Sequence, residues 1–282
     1  MTRVDDADLR RLQQTELGLL ERFRGICARH HLRYYMVGGT MLGAVRHGGF
    51  IPWDDDADAA MPRRDYEEFL RIAPDELPEG FSRVDHEHTP DYMRPFARLY
   101  DESVRVTIGS NTQPVGMPAW IDIFPLDGMP KGRARQLIHF WHMTFWRFWY
   151  HASFPQLNLN RPGRPLYMRL LIRFLALTHL GEGADTKKLI RRTDRLLKRY
   201  DFDESDTVVS FYGAYMTREI VEKRLFGEGK AYPFETLTLT GPSEPDEFLR
   251  HFYGDYIRLP DEEKRDTHHV ISIEYNTETA RH

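Results

Sequence analysis

Four aspartates crowd into five positions of Trp53-Asp54-Asp55-Asp56-Ala57-Asp58. Residues 56–61 have the character of a strand, in which alternate side chains share a face about 6.6 Å apart. Asp56, Asp58 and Ala60 then lie on one face, and the small apolar Ala57, Ala59 and Met61 on the other. Repulsion between the two carboxylates calls for a hard divalent cation. Mg2+, or Mn2+ in its place, takes one or two carboxylates and completes its shell with water and phosphate oxygens. A third carboxylate on a neighbouring strand, about 4.8 Å away, would complete the set. Asp122 is the candidate, as the lone acid of Trp120-Ile121-Asp122-Ile123-Phe124-Pro125. Without a partner it would be costly to bury. The plain alternative is a solvated acidic turn. A calcium loop starting Asp54-x-Asp56-x-Asp58 fails because Ala59 stands where Gly is needed and Asp65 where a bidentate Glu is needed.

A second cluster precedes the acids. Gly38-Gly39-Thr40 follows an expected strand at 34–37, and Thr40 is placed to cap a short helix running to Arg46. Glycine lets the backbone approach a phosphate, and a helix N-terminus offers free N–H groups with partial positive charge. Gly38, Gly39 and Thr40 are therefore the candidate phosphate-binding residues. Arg46 and His47, just beyond, are candidates for the same anion. Their plainer roles are a salt bridge to the acidic strand for Arg46 and a structural turn for His47.

The elements that must position these groups follow from periodicity. Residues 7–31 form an amphipathic helix, with Leu9, Leu12, Leu19, Phe23 and Ile26 on one face and Arg, Gln and Glu filling the other. His47–Pro52 is a turn, and Arg63–Ile72 a helix after Pro62. Further strands are expected at 82–87, 94–100, 104–108 and 119–124. The order argues an α+β fold: a mixed sheet with flanking helices. From Lys131 to Arg199 the chain is rich in Arg, Lys, Trp and Phe, with helices expected at about 133–152, 165–179 and 185–200. The expected division is 1–130 as the catalytic core, 131–204 as a basic aromatic helical subdomain, and 205–282, with a strand at Pro233–Leu239, completing the domain. The helix around Leu137–Tyr150 is apolar on every side, which favours burial on the sheet. A membrane-surface role is the second reading. His86 and His88 would share a strand face, with no further metal ligand evident. Tyr253-Gly254-Asp255 either ends a helix or lines an acceptor site, with the structural role favoured.

Composition narrows the classes. A formal charge of −4 over 282 residues gives no reason to expect nucleic acid. A single cysteine, Cys27, excludes an intrachain disulfide and a thiolate zinc cage. No secretory leader is visible at the N-terminus, and arginines interrupt every long apolar stretch. A cytoplasmic protein, peripheral at the inner face of the membrane, is the expectation.

The run Val37-Gly38-Gly39-Thr40-Met41-Leu42-Gly43-Ala44-Val45-Arg46-His47-Gly48-Gly49-Phe50-Ile51-Pro52-Trp53-Asp54-Asp55-Asp56-Ala57-Asp58 resembles the signature of the LicD family, a group related to the fukutin-related proteins. The likeness extends to the leading helix with Cys27, to Asp122-Ile-Phe-Pro-Leu-Asp127-Gly, and to Tyr253-Gly-Asp-Tyr256 before Leu259-Pro260. Met41 replaces an expected Leu. The resemblance implies a nucleotidyltransferase-like fold in which the glycine turn holds donor phosphates and the acidic strand holds the metal. It implies a Mg2+-dependent transfer of phosphocholine, or of ribitol or glycerol phosphate, from a CDP-activated donor to a sugar hydroxyl. The acceptor would be a cell-surface glycan, lipid-linked in some settings. Asp56 and Asp58 match the family's metal pair, and Asp122 a later acidic position. Asp122 and Asp54 are both candidate proton acceptors. Nucleotidyl transfer with release of pyrophosphate, and a non-catalytic nucleotide- or glycan-binding protein, are the alternatives.

Overall fold

The computed structural model describes residues 4–109, 114–153, 183–262 and 270–275, with Leu170, Arg173, Phe174, Leu177, Thr178 and Arg265. In chain order the first half comprises α1 (Asp6–Arg29), β1 (Tyr35–Met36), α2 (Gly38–His47), β2 (Asp58–Pro62), α3 (Arg63–Glu76), β3 (Phe81–Val84), β4 (Ala97–Ile108) and β5 (Val115–Gly128). Then come α4 (Arg133–Ala152), α5 (Thr186–Leu197), β6 (Thr207–Val209), β7 (Ile220–Glu222), β8 (Lys230–Phe234), β9 (Leu237–Gly241), α6 (Pro245–Tyr253) and β10 (Val270–Tyr275).

The architecture is α+β. One mixed sheet runs β1-β2-β5-β4-β10, with β3 on β4 and with β6 and β7 reached through β5. β2 and β5 are parallel and place Asp58 beside Asp122. The helices α1 and α3 pack against β2, β4 and β5. The predicted stripe of α1 is buried, and Phe23 meets Tyr34 and Phe69 edge-on at 5.0 and 5.1 Å. Gln13 and Glu16, expected on the polar side, are buried too.

Several elements differ from expectation for local reasons. Thr40 does not cap α2: the helix begins at Gly38 after Val37 and lacks a side-chain cap. The strands expected at 94–100 and 104–108 are one strand, β4, with a register shift between Asp101 and Arg105. There Asp101 accepts hydrogen bonds from the N–H and hydroxyl of Ser103, at 3.0 and 2.5 Å. β3 ends at Val84 because Asp85 Oδ1 accepts the N–H groups of Glu87 and His88 at 2.8 and 3.0 Å, a turn that competes with the ladder. His86 and His88 therefore share no strand face. The strand expected at Pro233–Leu239 is a hairpin, β8 and β9, that turns through Glu235 at φ 53°.

The basic middle differs most. α4 has the expected bounds but packs on α5 and buries only His139, Phe140, Met143 and Ala152. Ile138, Trp141 and Phe145 are 71%, 56% and 51% exposed, which corrects the expectation of all-round burial. Most of the helix expected at 165–179 lies outside the described residues. α5 is tied to the core by Arg63, whose guanidinium grips Asp127 through two bonds of 2.7 Å and Asp194 through one of 3.0 Å. All three are buried.

Candidate active site

The floor of the site is where α2 meets β2. An added Cβ on Gly38, whose φ is +58°, would stand 2.7 Å from Asp58 Oδ2, and one on Gly39 would run into Asp54 Oδ2. The glycines thus admit two carboxylates to the start of α2, where unpaired N–H groups and the helix dipole favour negative charge. Thr40 holds the arrangement from the side, its hydroxyl accepting the Asp58 N–H at 2.7 Å.

Val37, Gly38, Gly39, Asp54, Asp56, Asp58 and Asp122 all line one cavity of about 520 Å³. Asp56 precedes β2 instead of lying within it, but its side chain opens on the same space as Asp58. Asp122 is not the unpartnered acid expected. Buried Arg98, its neighbour in the β4–β5 register, donates to both oxygens at 2.5 and 3.2 Å. Burial, then the charges of Asp56, Asp122 and Asp54, push the Asp58 carboxyl well above the ordinary carboxylate range, against the pull of Arg98.

Arg46 and His47 lie elsewhere. Arg46 Nη1 donates to the Tyr256 carbonyl at 2.9 Å, and His47 lines a separate concavity with Arg10, Trp53 and Glu235. Both stand at the far end of α2, one helix length from the glycines, and neither lines the cavity, although the charge of Asp54 reaches Arg46. Asp127, within the motif that begins at Asp122, serves the Arg63 ion pair.

The donor set suits a hard cation. Asp54, Asp55 and Asp56 each bring a carboxylate oxygen within 4.8 Å of the others, a group that among the described residues takes in Asp56 of the expected ligands but neither Asp58 nor Asp122, and all-oxygen donors select Mg2+ or Mn2+ over softer metals. Glu16, on α1, adds a further buried acid beside the aspartates. It is fully buried, and neither carboxylate oxygen has a hydrogen-bond partner. Burial, then Asp56, Asp55, Asp54 and Asp58, push its carboxyl far up. One turn earlier, Gln13 donates to the carbonyls of Ile51 and Asp54 at 3.2 and 3.0 Å, fixing the acidic loop on α1. A cation among the aspartates would weaken the repulsion that, with burial, keeps the Glu16 carboxyl in its neutral form.

Residues 31–165 match the family described as LicD/FKTN/FKRP, nucleotidyltransferase domain. They are a LicD-family domain. The chain is 26% identical to the lipopolysaccharide cholinephosphotransferase LicD of Haemophilus influenzae over 93% of its own length and 96% of that protein. It is also 46% identical to the human and mouse ribitol 5-phosphate transferase FKRP over 37 residues, which span 13% of this chain and 8% of each relative.

The LicD domain supplies the acidic floor and α2, but the opposite wall of the cavity comes from beyond residue 165. Tyr212, Tyr215, Glu219, Phe252 and Tyr253 line it, and sequence reasoning missed all of them except Tyr253. Gly254, at φ 66°, does end α6 as expected. Tyr253 itself faces the cavity.

Proposed function

We propose that the chain is a phosphotransferase that moves a phospho-alcohol, phosphocholine or a similar group, from a CDP-activated donor to a sugar hydroxyl of a cell-surface glycan. The observation that carries this reading is the convergence of Asp54, Asp56, Asp58, Asp122 and the N-terminus of α2 on one cavity. Asp56, Asp58 and Asp122 would hold Mg2+, which when bound neutralises the diphosphate and the charge on departing CMP. The first turn of α2 draws the phosphates to the same end of the cavity. Arg98 occupies both oxygens of Asp122 and fixes its orientation. Asp54, seated against Gly39, then accepts the proton of the attacking hydroxyl. The new bond joins the sugar oxygen to phosphorus, and the bond from phosphorus to the CMP oxygen breaks.

CMP release from CDP-choline in the presence of a glycan acceptor tests this directly. Asp56→Asn should lower the rate by two orders of magnitude or more; an unchanged rate removes the metal reading. Pyrophosphate formed from a nucleoside triphosphate would identify nucleotidyl transfer instead. We further place the protein at a membrane surface, where lipid-linked acceptors are found. Among the described residues no helix is long and apolar enough to cross a membrane. Ile138, Trp141 and Phe145 make an exposed apolar face on α4, with Arg133 and Arg135 one turn before it, as interfacial helices do.

A further inference from the structure

A glutamate stands where a hairpin usually has glycine. β8 and β9 are joined by the two-residue loop Glu235-Thr236. Glu235 has φ 53°, a region that a side chain enters at a cost and that hairpin loops mostly give to glycine or asparagine. A residue held there against its preference points to a task for its side chain. The opposite accommodation is made at Gly49, where any Cβ would run into the Glu235 carboxylate. Together the two residues seat that carboxylate on the turn that joins α2 to the aspartates. Glu235 Oε1 accepts the Phe50 N–H at 3.2 Å, and the Glu235 N–H donates to the Gly48 carbonyl at 2.8 Å.

Arg10 carries the hold from there to the acids. Its guanidinium donates to Glu235 Oε1 at 2.9 Å, to Glu235 Oε2 at 2.5 Å and to Gln13 Oε1 at 3.2 Å. The bonds from Arg10 keep the Glu235 carboxyl below the usual carboxylate range, against burial. They also orient the buried Gln13 amide. Arg10 takes its oxygen, so its nitrogen faces the carbonyls of Ile51 and Asp54, which it reaches at 3.2 and 3.0 Å. Glu235, Arg10 and Gln13 thus pin the turn at Gly48, Phe50, Ile51 and Asp54, where the acidic run begins. None of the three lines the cavity of the aspartates. They line the second concavity, of about 610 Å³, and Trp53 borders both. They act on the acids only through the backbone of the turn. Arg10 and Gln13 precede the LicD domain and Glu235 follows it, so its acidic run is held from both flanks.

We propose that Glu235, through Arg10 and Gln13, is a positioning residue that sets the acidic run for the cation. The assignment rests on the metal-dependent phosphotransfer reading. The experiment compares the full wild-type chain with Glu235→Gly, which suits the left-handed backbone and removes the carboxylate. It reads Tm in EDTA, Mg2+ binding by calorimetry, and CMP release from CDP-choline. The Arg10–Glu235 pair is partly exposed and contributes little to stability, while glycine relieves the backbone. Tm in EDTA should therefore stay within about 3 °C of wild type. Mg2+ affinity should fall by about tenfold, as it does when a group supporting a metal ligand is lost, and excess Mg2+ should recover most of the lost CMP release. Glu235→Gln keeps an acceptor for the Phe50 N–H and one bond from Arg10, and should regain most of the affinity. Arg10→Met should weaken Mg2+ binding as Glu235→Gly does, and it decides the matter if the glycine variant fails to fold. The two changes together should lose less than the product of their separate losses, because they break one chain of bonds. Mg2+ affinity within twofold of wild type in Glu235→Gly, whatever its Tm, overturns the positioning role and leaves the phosphotransfer reading standing. A double variant whose loss equals the product overturns it too. A wild type that does not bind Mg2+ overturns both.

Discussion

Gly38→Ala separates what the glycine does for the fold from what it does for the site. Its φ of +58° is left-handed, a region that costs a residue with a Cβ roughly 1–2 kcal/mol. For a chain of this size that corresponds to a Tm lower by about 2–6 °C. The second effect is on Asp58. The new Cβ would lie 2.7 Å from Oδ2, so the carboxylate must retreat by about 0.7 Å to reach the 3.4 Å at which ordinary contact begins. A displacement of 1 Å in a reacting constellation costs on the order of a hundredfold, so about tenfold is expected in CMP release. Gly38→Asn divides the two effects. Asn tolerates the left-handed region, so most of the lost Tm should return, but its Cβ still displaces Asp58 and the rate should stay low. Scanning fluorimetry and a CMP-release assay on the same preparations measure both. If Asn restored the rate along with the stability, or if Ala lowered Tm and left the rate within twofold, the close seating of Asp58 on the helix start would be refuted.

Arg63→Met leaves Asp127 charged and unpaired in the core and should cost about 3–5 kcal/mol in chemical denaturation; adding Asp127→Leu should recover part of it. Burial alone would raise the Asp194 carboxyl, but Arg63 and Lys198 outweigh it and hold the group below its ordinary value. Because the folded value lies under the unfolded one of about 3.9, its contribution is complete above that pH and lost as pH falls through the folded value. Asp194→Asn should therefore flatten the fall of Tm below about pH 4. With EDTA present, Glu16→Gln should raise Tm, since a neutral amide is cheaper to bury than an acid beside four aspartates, and the rise in Tm on adding Mg2+ should shrink. An unchanged Mg2+ response would separate Glu16 from the cation. Replacing Ile138, Trp141 and Phe145 together with Gln should abolish co-sedimentation with anionic liposomes at low salt and leave Tm within about 1 °C, because exposed substitutions seldom move stability by more than about 0.5 kcal/mol.

The acidic half of the cavity was legible because its chemistry is local. Asp56 and Asp58 are two residues apart, the glycines lie one element earlier, and short-range periodicity carries both. The expectation for Asp122 was right about its neighbour, Asp58, and wrong about its partner, because a strand's own residues do not say what stands opposite on the next strand. Arg98 was the missing half. The aromatic wall was illegible for a related reason. Tyr215 precedes and Glu219 ends a 3-10 turn with no periodicity, and the return of β6 and β7 to β5 brings them to the cavity that Asp58 lines. Glu16 is different, since a signal was present and assigned to the wrong face. Leu9, Leu12, Glu16, Leu19 and Phe23 are spaced by three and four, so a carboxylate sits within the apolar stripe of α1. A charge on such a stripe is buried if the helix is buried at all, and it must meet either a cation or another buried polar group. In this chain the residues opposite are themselves acids, which makes the leading helix part of the acidic site as well as part of the core.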